Sequence, residues 1–442
     1  MKRALRQHLH LAVPNVLSNL TVPLAGLVDT VLLGHQETTD PLSGVALAGA
    51  IFSFLYWGFA FLRMSTTGLT SNSVGADEEE ETSALFFRSF LLGVGLGLLI
   101  LLCRPVIEWV SFQLLQGSPE VEAQGALYFR ARVLGAPAVL GLMAINGWLL
   151  GRLLSRHVLL LSVVQNFLIV ALDYLFIWRL GWGAQGAGYA TAASDILSFL
   201  FGLFLVWKSW GRLPRFSWPS LANPEKLASL MSLNGQIFVR SFFLILTVTS
   251  FTNISAWLGE EVVAANAVLL QLLLFCAYFV DGYAYALESL AGKAAGAQRW
   301  GEVTTQLRVA LGTTTITTLL FAAGFTLFAK SLLARMTAHQ NINELAFHLL
   351  PYFLAALVAG SYAYLYDGLC IGLTRGTDMR TSVLAGTLLG FLPFALWSIA
   401  SRSPERLWMG YFAFVALRAV VLAYLGEGFV RRKVMEQQCS VT

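Results

Sequence analysis

Long apolar runs, each closed by a short cluster of polar or turn-forming residues, follow one another along the whole chain. Crossing the hydrocarbon core of a bilayer takes roughly 20 mainly apolar residues. Runs of that size predict twelve spans, near residues 11–34, 43–75, 84–104, 122–150, 157–179, 184–208, 229–257, 262–292, 303–329, 345–373, 381–400 and 406–430. They are far longer than the ~10-residue alternating segments of an outer-membrane barrel, and a helix satisfies its own backbone hydrogen bonds in lipid. The pattern therefore predicts an all-α polytopic membrane protein.

An even number of spans places both termini on one side, and the loop cations say which. Arg104, Arg179, Lys330, Arg335, Arg402 and Arg406 fall on the far side, six in all. Seventeen Lys and Arg residues, from Lys2, Arg3 and Arg6 to Arg431, Arg432 and Lys433, collect on the side of the termini. That bias predicts cytoplasmic termini. Asp77–Glu81 is an acidic loop on the same side and reads as a solvated cap. The start, Met1-Lys-Arg-Ala-Leu-Arg6, resembles the opening of a signal peptide, but the apolar run continues to Gly34 without a small-x-small cleavage site. It reads as a retained first span.

Gly211–Glu225, with Pro214, Pro219 and Pro224, is the longest polar connection. It divides the chain into an N-lobe of six spans (1–210), a cytoplasmic connection (211–228), and a C-lobe of six spans with a tail (229–442). The halves carry a faint repeat. Asn146-Gly147-x-x-x-Gly151 aligns with Asp367-Gly368-x-x-x-Gly372, and Gly75-Ala76 with Gly296-Ala297, although few residues between are identical. A six-span unit returns the chain to its starting side, so a second copy enters in the same orientation. Parallel repeats about an axis along the membrane normal are a transporter architecture.

Composition sharpens this picture. Of 442 residues 57% are hydrophobic and 12% charged, against about 25% charged in soluble chains, and the mean hydropathy is +0.67. An ordinary soluble enzyme is excluded. Cys103, Cys276, Cys370 and Cys439 are scattered without a CxxC pair, so neither zinc nor a disulfide framework is indicated. The net charge of +4 includes no long basic run and gives no sign of nucleic acid. Gly181-Trp-Gly183-Ala-Gln-Gly186 matches GxGxxG but sits in an external turn without the acidic residue a dinucleotide site needs. No Walker A, HExxH or GxSxG sequence is present.

Charges inside the spans are then the informative residues, because a carboxylate near the bilayer centre costs at least about 2.5–3.5 kcal/mol and usually faces a cavity or a partner. Asp29 lies deep in the first span, which also contains Pro14 and Pro23. Each proline removes an intrahelical hydrogen bond and permits a bend. The alternative for Asp29 is an interfacial acid that ends the helix. Asp173 and Asn166 are seven apart and share a helix face, either as a functional stripe or as a helix–helix hydrogen bond. Asp281 and Glu288, also seven apart, and Asp367 are further embedded acids. Arg63, Arg88, Arg130, Arg132, Arg240 and Arg418 are the bases available to pair with them. Asp195 is expected to be such an ion-pair partner.

Several stretches resemble the multidrug and toxic compound extrusion (MATE) transporters, DinF branch. They are Asn19-Leu-Thr-Val-Pro-Leu-Ala-Gly-Leu-Val-Asp-Thr-Val-Leu-Leu-Gly-His35, Phe61-Leu-Arg-Met-Ser-Thr-Thr-Gly-Leu-Thr70, Leu172-Asp-Tyr-Leu-Phe-Ile177 with Gly186-Ala-Gly-Tyr-Ala-Thr191, Phe279-Val-Asp-Gly-Tyr-Ala-Tyr-Ala-Leu-Glu288, and Tyr366-Asp-Gly-Leu-Cys-Ile-Gly-Leu-Thr-Arg-Gly-Thr-Asp-Met-Arg380. The resemblance implies two six-helix lobes forming a V and export of amphipathic, often cationic compounds in exchange for H+ or Na+. Asp29 matches the family's first-helix coupling acid and Asp173 its fifth-helix acid, which implies proton coupling in the N-lobe. The family's Asn four residues before the latter is Ile169 here, and Asn166 is the nearest polar replacement. Asp367 matches the tenth-helix acid of the NorM branch's cation site. The seventh-helix acid of that site has no counterpart between Asn234 and Leu258, where Arg240 is the single charge.

The expectation is a monomeric inner-membrane antiporter without cofactor, coupled to H+, with Na+ still open. Asp29, Asp173 and Asn166 would form the coupling site, with bending at Pro14 or Pro23. Thr191, Arg63, Asp281, Glu288 and Asp367 would support it or line the substrate path. Alternatives are a flippase for lipids or lipid-linked saccharides, which predicts a strongly basic cavity, and a receptor or scaffold with no flux.

Overall fold

The computed structural model describes residues 1–34, 39–115, 117–210, 218–337 and 339–439, with the backbone alone at 22–30, 34 and 218. Every regular element among them is helical. In the first half these are α1 (Lys2–Gly34), α2 (Asp40–Gly58), α3 (Phe61–Gly75), α4 (Glu79–Leu102), α5 (Arg104–Leu114), α6 (Pro119–Arg132), α7 (Ala136–Gly151), α8 (Ser155–Asp173) and α9 (Gly183–Trp210). The short α10 (Trp218–Leu221) precedes α11 (Pro224–Leu258), α12 (Glu260–Gly296), α13 (Trp300–Met336), α14 (Gln340–Gly372), α15 (Gly376–Ala385), α16 (Leu392–Ser401) and α17 (Pro404–Cys439). Eleven segments among the described residues, from Asp40–Gly75 to Pro404–Cys439, are long and apolar enough to cross a membrane, and the 33-residue α1 precedes them.

Several spans are internally broken, at places with a chemical reason. The 3-10 turn Val133–Gly135 separates α6 from α7 just ahead of Pro137, which has no N–H to continue the ladder. A π-helical turn, Tyr174–Arg179, follows α8, and another, Gly386–Phe391, joins α15 to α16. Such wider turns are rare and recur at functional sites.

Two compact units result. One holds Leu17–Ala228, and the other holds Ser229–Thr442 together with Met1–Val16. The sequence reading places residues 1–210 in one lobe, whereas the first sixteen residues of α1 pack with the second unit: His8 stacks on Tyr283 of α12, and Val16 lies against Gly282. Apolar periodicity cannot reveal this, because the run through α1 is continuous.

The faint repeat is structural. A Cβ on Gly147 would stand 2.5 Å from the carbonyl oxygen of Arg63, and one on Gly368 would stand 2.6 Å from that of Ala284. Gly151 faces the Thr67 carbonyl at 2.9 Å and Gly372 the Glu288 carbonyl at 2.4 Å. Each contact in the second unit lies 221 residues after its counterpart. The turns repeat at the same interval: Asp77 and Gln298, then Leu153 and Thr374, all take positive φ. These paired glycines let α7 press on α3 and α14 on α12, backbone to backbone.

On the cytoplasmic side of the expected topology, Arg88 of α4 is buried, pairs with Glu81 at 2.7 Å, and donates to the carbonyls of Ser220 and Leu221 in α10. Glu81 is thus a structural partner rather than part of a solvated cap. Residues 211–217 of the connection lie outside the described residues.

Candidate membrane transport site

Asp173 is fully buried and closes α8, at the junction where α-helical backbone widens into the π turn. Two turns earlier, Asn166 Nδ2 donates to the Thr21 hydroxyl of α1 at 3.0 Å and to the Ser162 carbonyl at 2.8 Å. Thr21 in turn donates to the Ser18 carbonyl at 2.7 Å, and the Ser18 and Ser162 hydroxyls are hydrogen-bonded at 2.5 Å. A small polar seam therefore stitches α1 to α8. Its members, Ser18, Thr21, Ser162 and Asn166, recur at helical spacing in otherwise apolar helices, a signal the sequence contained beside the charges. Ile169, between Asn166 and Asp173, is buried and apolar.

Asp29 lies two turns beyond Thr21 on α1. Its side chain and that of Pro23 lie outside the described residues. The helix is continuous through Pro14, which is buried, and through position 23. Thr191 of α9 is buried and spends its hydroxyl on the Ala187 carbonyl at 2.9 Å. Arg63 lies in the first turn of α3, half-buried, with its carbonyl under Gly147.

In the other unit Asp367 is enclosed by cations. Arg240 of α11 reaches its Oδ2 at 2.5 Å and its Oδ1 at 3.3 Å, and Arg418 of α17 reaches Oδ2 at 2.6 Å. All three side chains are buried. Asp281 is within electrostatic reach of Arg240, and Glu288, two turns further along α12, is fully buried. The ion-pair reading thus holds for Asp367, a carboxylate whose lone pairs are committed to two guanidinium groups.

Asp195 departs from its expected setting. Buried on α9, it makes no ion pair among the described residues and instead accepts the Gln165 amide at 2.9 Å on Oδ1. The nearby Arg132 donates to the Tyr128 hydroxyl at 2.7 Å and lies 4.7 Å over the Phe52 ring.

A helical protein with eleven apolar spans among its described residues, and a glycine repeat at an interval of 221 residues, is what the comparisons with known proteins match. The MatE family model covers residues 14–175 and 236–396. The chain belongs to the MATE family. It is 36% identical over 420 residues to the DNA damage-inducible protein F of Escherichia coli K12, covering 94% of this chain and 90% of that protein. With the probable multidrug resistance protein NorM of Acinetobacter baylyi it shares 22% over 429 residues, covering 95% and 94%. A solved MATE structure in the bent conformation matches with a TM-score of 0.89 over 100% of this chain and 99% of that one, at 20% identity. A MOP superfamily transporter from Pyrococcus furiosus gives 0.88 over 97% and 96%, at 19%. The all-α MATE fold and the DinF resemblance are thereby established. This MATE protein is a multi-pass membrane protein of a multidrug transporter family and not an enzyme.

Proposed function

We propose that the protein is a proton-coupled antiporter of the inner membrane, with cytoplasmic termini, that exports amphipathic and often cationic compounds as a monomer. Asp29 and Asp173 take protons from the outside, and the N-lobe changes conformation as they do so. The observation that carries this reading is the hydrogen bond from Asn166 to Thr21, which makes the helix of Asp173 and the helix of Asp29 one mechanical element. Protonation converts a carboxylate from a pure acceptor to a donor, so loading either acid re-forms the hydrogen bonds along that seam. The conformations of the charged and neutral states then differ in stability, the condition for a proton gradient to move the equilibrium.

The setting of Asp367 supports H+ over Na+. With Arg240 and Arg418 on its oxygens, the C-lobe acid already has its cations. Aromatic side chains of the spans supply apolar contact for flat substrates and cation–π sites for charged ones. No cofactor enters this scheme.

The test uses purified protein in liposomes, following export of a fluorescent lipophilic cation under an imposed pH gradient and separately under a Na+ gradient, for wild type and Asp29→Asn. The expected result is flux driven by the pH gradient alone and abolished in the variant. Flux driven by Na+ alone, or normal flux in Asp29→Asn, overturns the N-lobe proton site.

A further inference from the structure

The last long helix of each unit carries one embedded charge, and the two are satisfied in different ways. Arg418 of α17 is ion-paired to Asp367. Asp195 of α9 is buried like Arg418, yet its sole hydrogen-bonded partner among the described residues is the neutral Gln165 amide. Its second oxygen, Oδ2, faces the 3-10 turn, 3.4 Å from where a Cβ on Gly135 would stand. We infer that Asp195 is a further proton-binding site of the transporter, one that loads and unloads through Oδ2 and passes its charge state to the α1–α8 seam through Gln165.

The surroundings of Asp195 suit exchange rather than permanent neutralisation. From α2 it faces Tyr56, whose buried hydroxyl has no hydrogen-bond partner among the described residues, and from α6 it faces Arg132, which is bonded to Tyr128. From α8 it faces Gln165, while the titratable residues of that helix, Arg156, His157 and Asp173, lie at its two ends. The 3-10 turn and α7 carry no titratable side chain. Arg132 is close enough to compensate a charged Asp195, and it also donates to the Tyr128 hydroxyl. Proton binding needs no other reactant: H+ adds to Oδ2, the site gains one positive charge, and release reverses both.

The route to the seam is short. Gln165 directly precedes Asn166, and the Gln165 main-chain carbonyl accepts the hydroxyl of Ser194, the neighbour of Asp195, at 3.0 Å. A change in the charge of Asp195 alters the strength with which it holds Gln165. It therefore acts on the turn of α8 that binds Thr21.

This inference rests on the proton-antiport reading, and the experiment separates the two. Ethidium is added to the purified full chain in weakly buffered detergent, and proton release is followed with a pH dye across a pH series. Wild type releases protons. Asp195→Asn is expected to release about one fewer per ethidium bound, and Asp195→Glu to restore the number. In liposomes Asp195→Asn is expected to lose pH-driven efflux but keep ethidium–ethidium exchange, which a merely structural defect would lower as well. No proton release by wild type overturns the antiport reading and this one together. Release by Asp195→Asn equal in number and pH profile to wild type overturns this one alone. Should Asp195→Asn fail to fold, Gln165→Leu keeps the acid and removes its hydrogen-bonded partner. The pH midpoint of release is then expected to move by about half a unit or more, and an unmoved midpoint overturns the inference.

Discussion

Asp367 sits between two guanidinium groups, 2.5 Å from Arg240 and 2.6 Å from Arg418, with all three side chains out of reach of solvent. Removing the acid leaves two buried cations without their counter-charge, which costs about 3–5 kcal/mol where a buried pair is broken. Asp367→Ala is therefore expected to lower the thermal midpoint of the purified protein strongly, and Arg240→Leu less, because Arg418 still balances the acid. Measuring Tm for both in the same detergent checks the order, and equal Tm values would mean that Arg240 carries the pair and Arg418 alone does not balance the acid. Asn166 is a different kind of residue. Its bond to Thr21 is a neutral hydrogen bond worth about 1 kcal/mol. Asn166→Leu is expected to leave the fold intact, slow pH-driven efflux and spare exchange in the absence of a gradient, which the liposome assay reads directly.

At the level of helices, the two GxxxG segments set how closely neighbours approach. A Cβ on Gly372 would meet the Glu288 carbonyl at 2.4 Å, one on Gly151 would meet Thr70 Cβ at 2.6 Å, and one on Gly49 would meet nothing within 4 Å. Overpacking of such a seam costs about 1–3 kcal/mol. Gly151→Ala and Gly372→Ala should each lower Tm, whereas Gly49→Ala should not. Of the three, only the first two lie in the pattern visible in the sequence. The spans, the glycine repeat and the embedded acids were legible because each is a local departure from a long apolar run. The partners of those acids were not. Whether Asp195 meets a guanidinium or an amide depends on the rotation of α9 against α6 and α8, and in helices apolar on most faces the hydrophobic pattern leaves that rotation unspecified. The π turn beside Asp173 and the 3-10 break at Val133–Gly135 escaped for a related reason: both preserve apolar composition while changing the backbone. The family's Asn position, filled by Ile169, pointed to a missing polar contact, and the structure places one a turn earlier through Asn166.

On the scale of the whole molecule α1 is the element that belongs to both units. Its residues to Val16 pack with the unit of Ser229–Thr442, through His8 against Tyr283 and Val16 against Gly282, and from Leu17 onward it packs with Leu17–Ala228 through Ser18 and Thr21. A continuous helix divided in this way changes its packing partners between Val16 and Leu17. Pro14, two residues before the division, supplies a soft point, since it removes one N–H from the ladder and its ring crowds the preceding turn. Restoring that hydrogen bond stiffens the helix where it changes partners. Pro14→Ala is therefore expected to raise or preserve Tm, leave ethidium binding unchanged, and reduce the maximal rate of pH-driven efflux without changing the substrate concentration at half-maximal rate. A lower apparent affinity would instead place Pro14 in the binding path. Unchanged turnover would move the bend to Pro23, where the same substitution and the same two kinetic parameters decide whether α1 transmits the change at all.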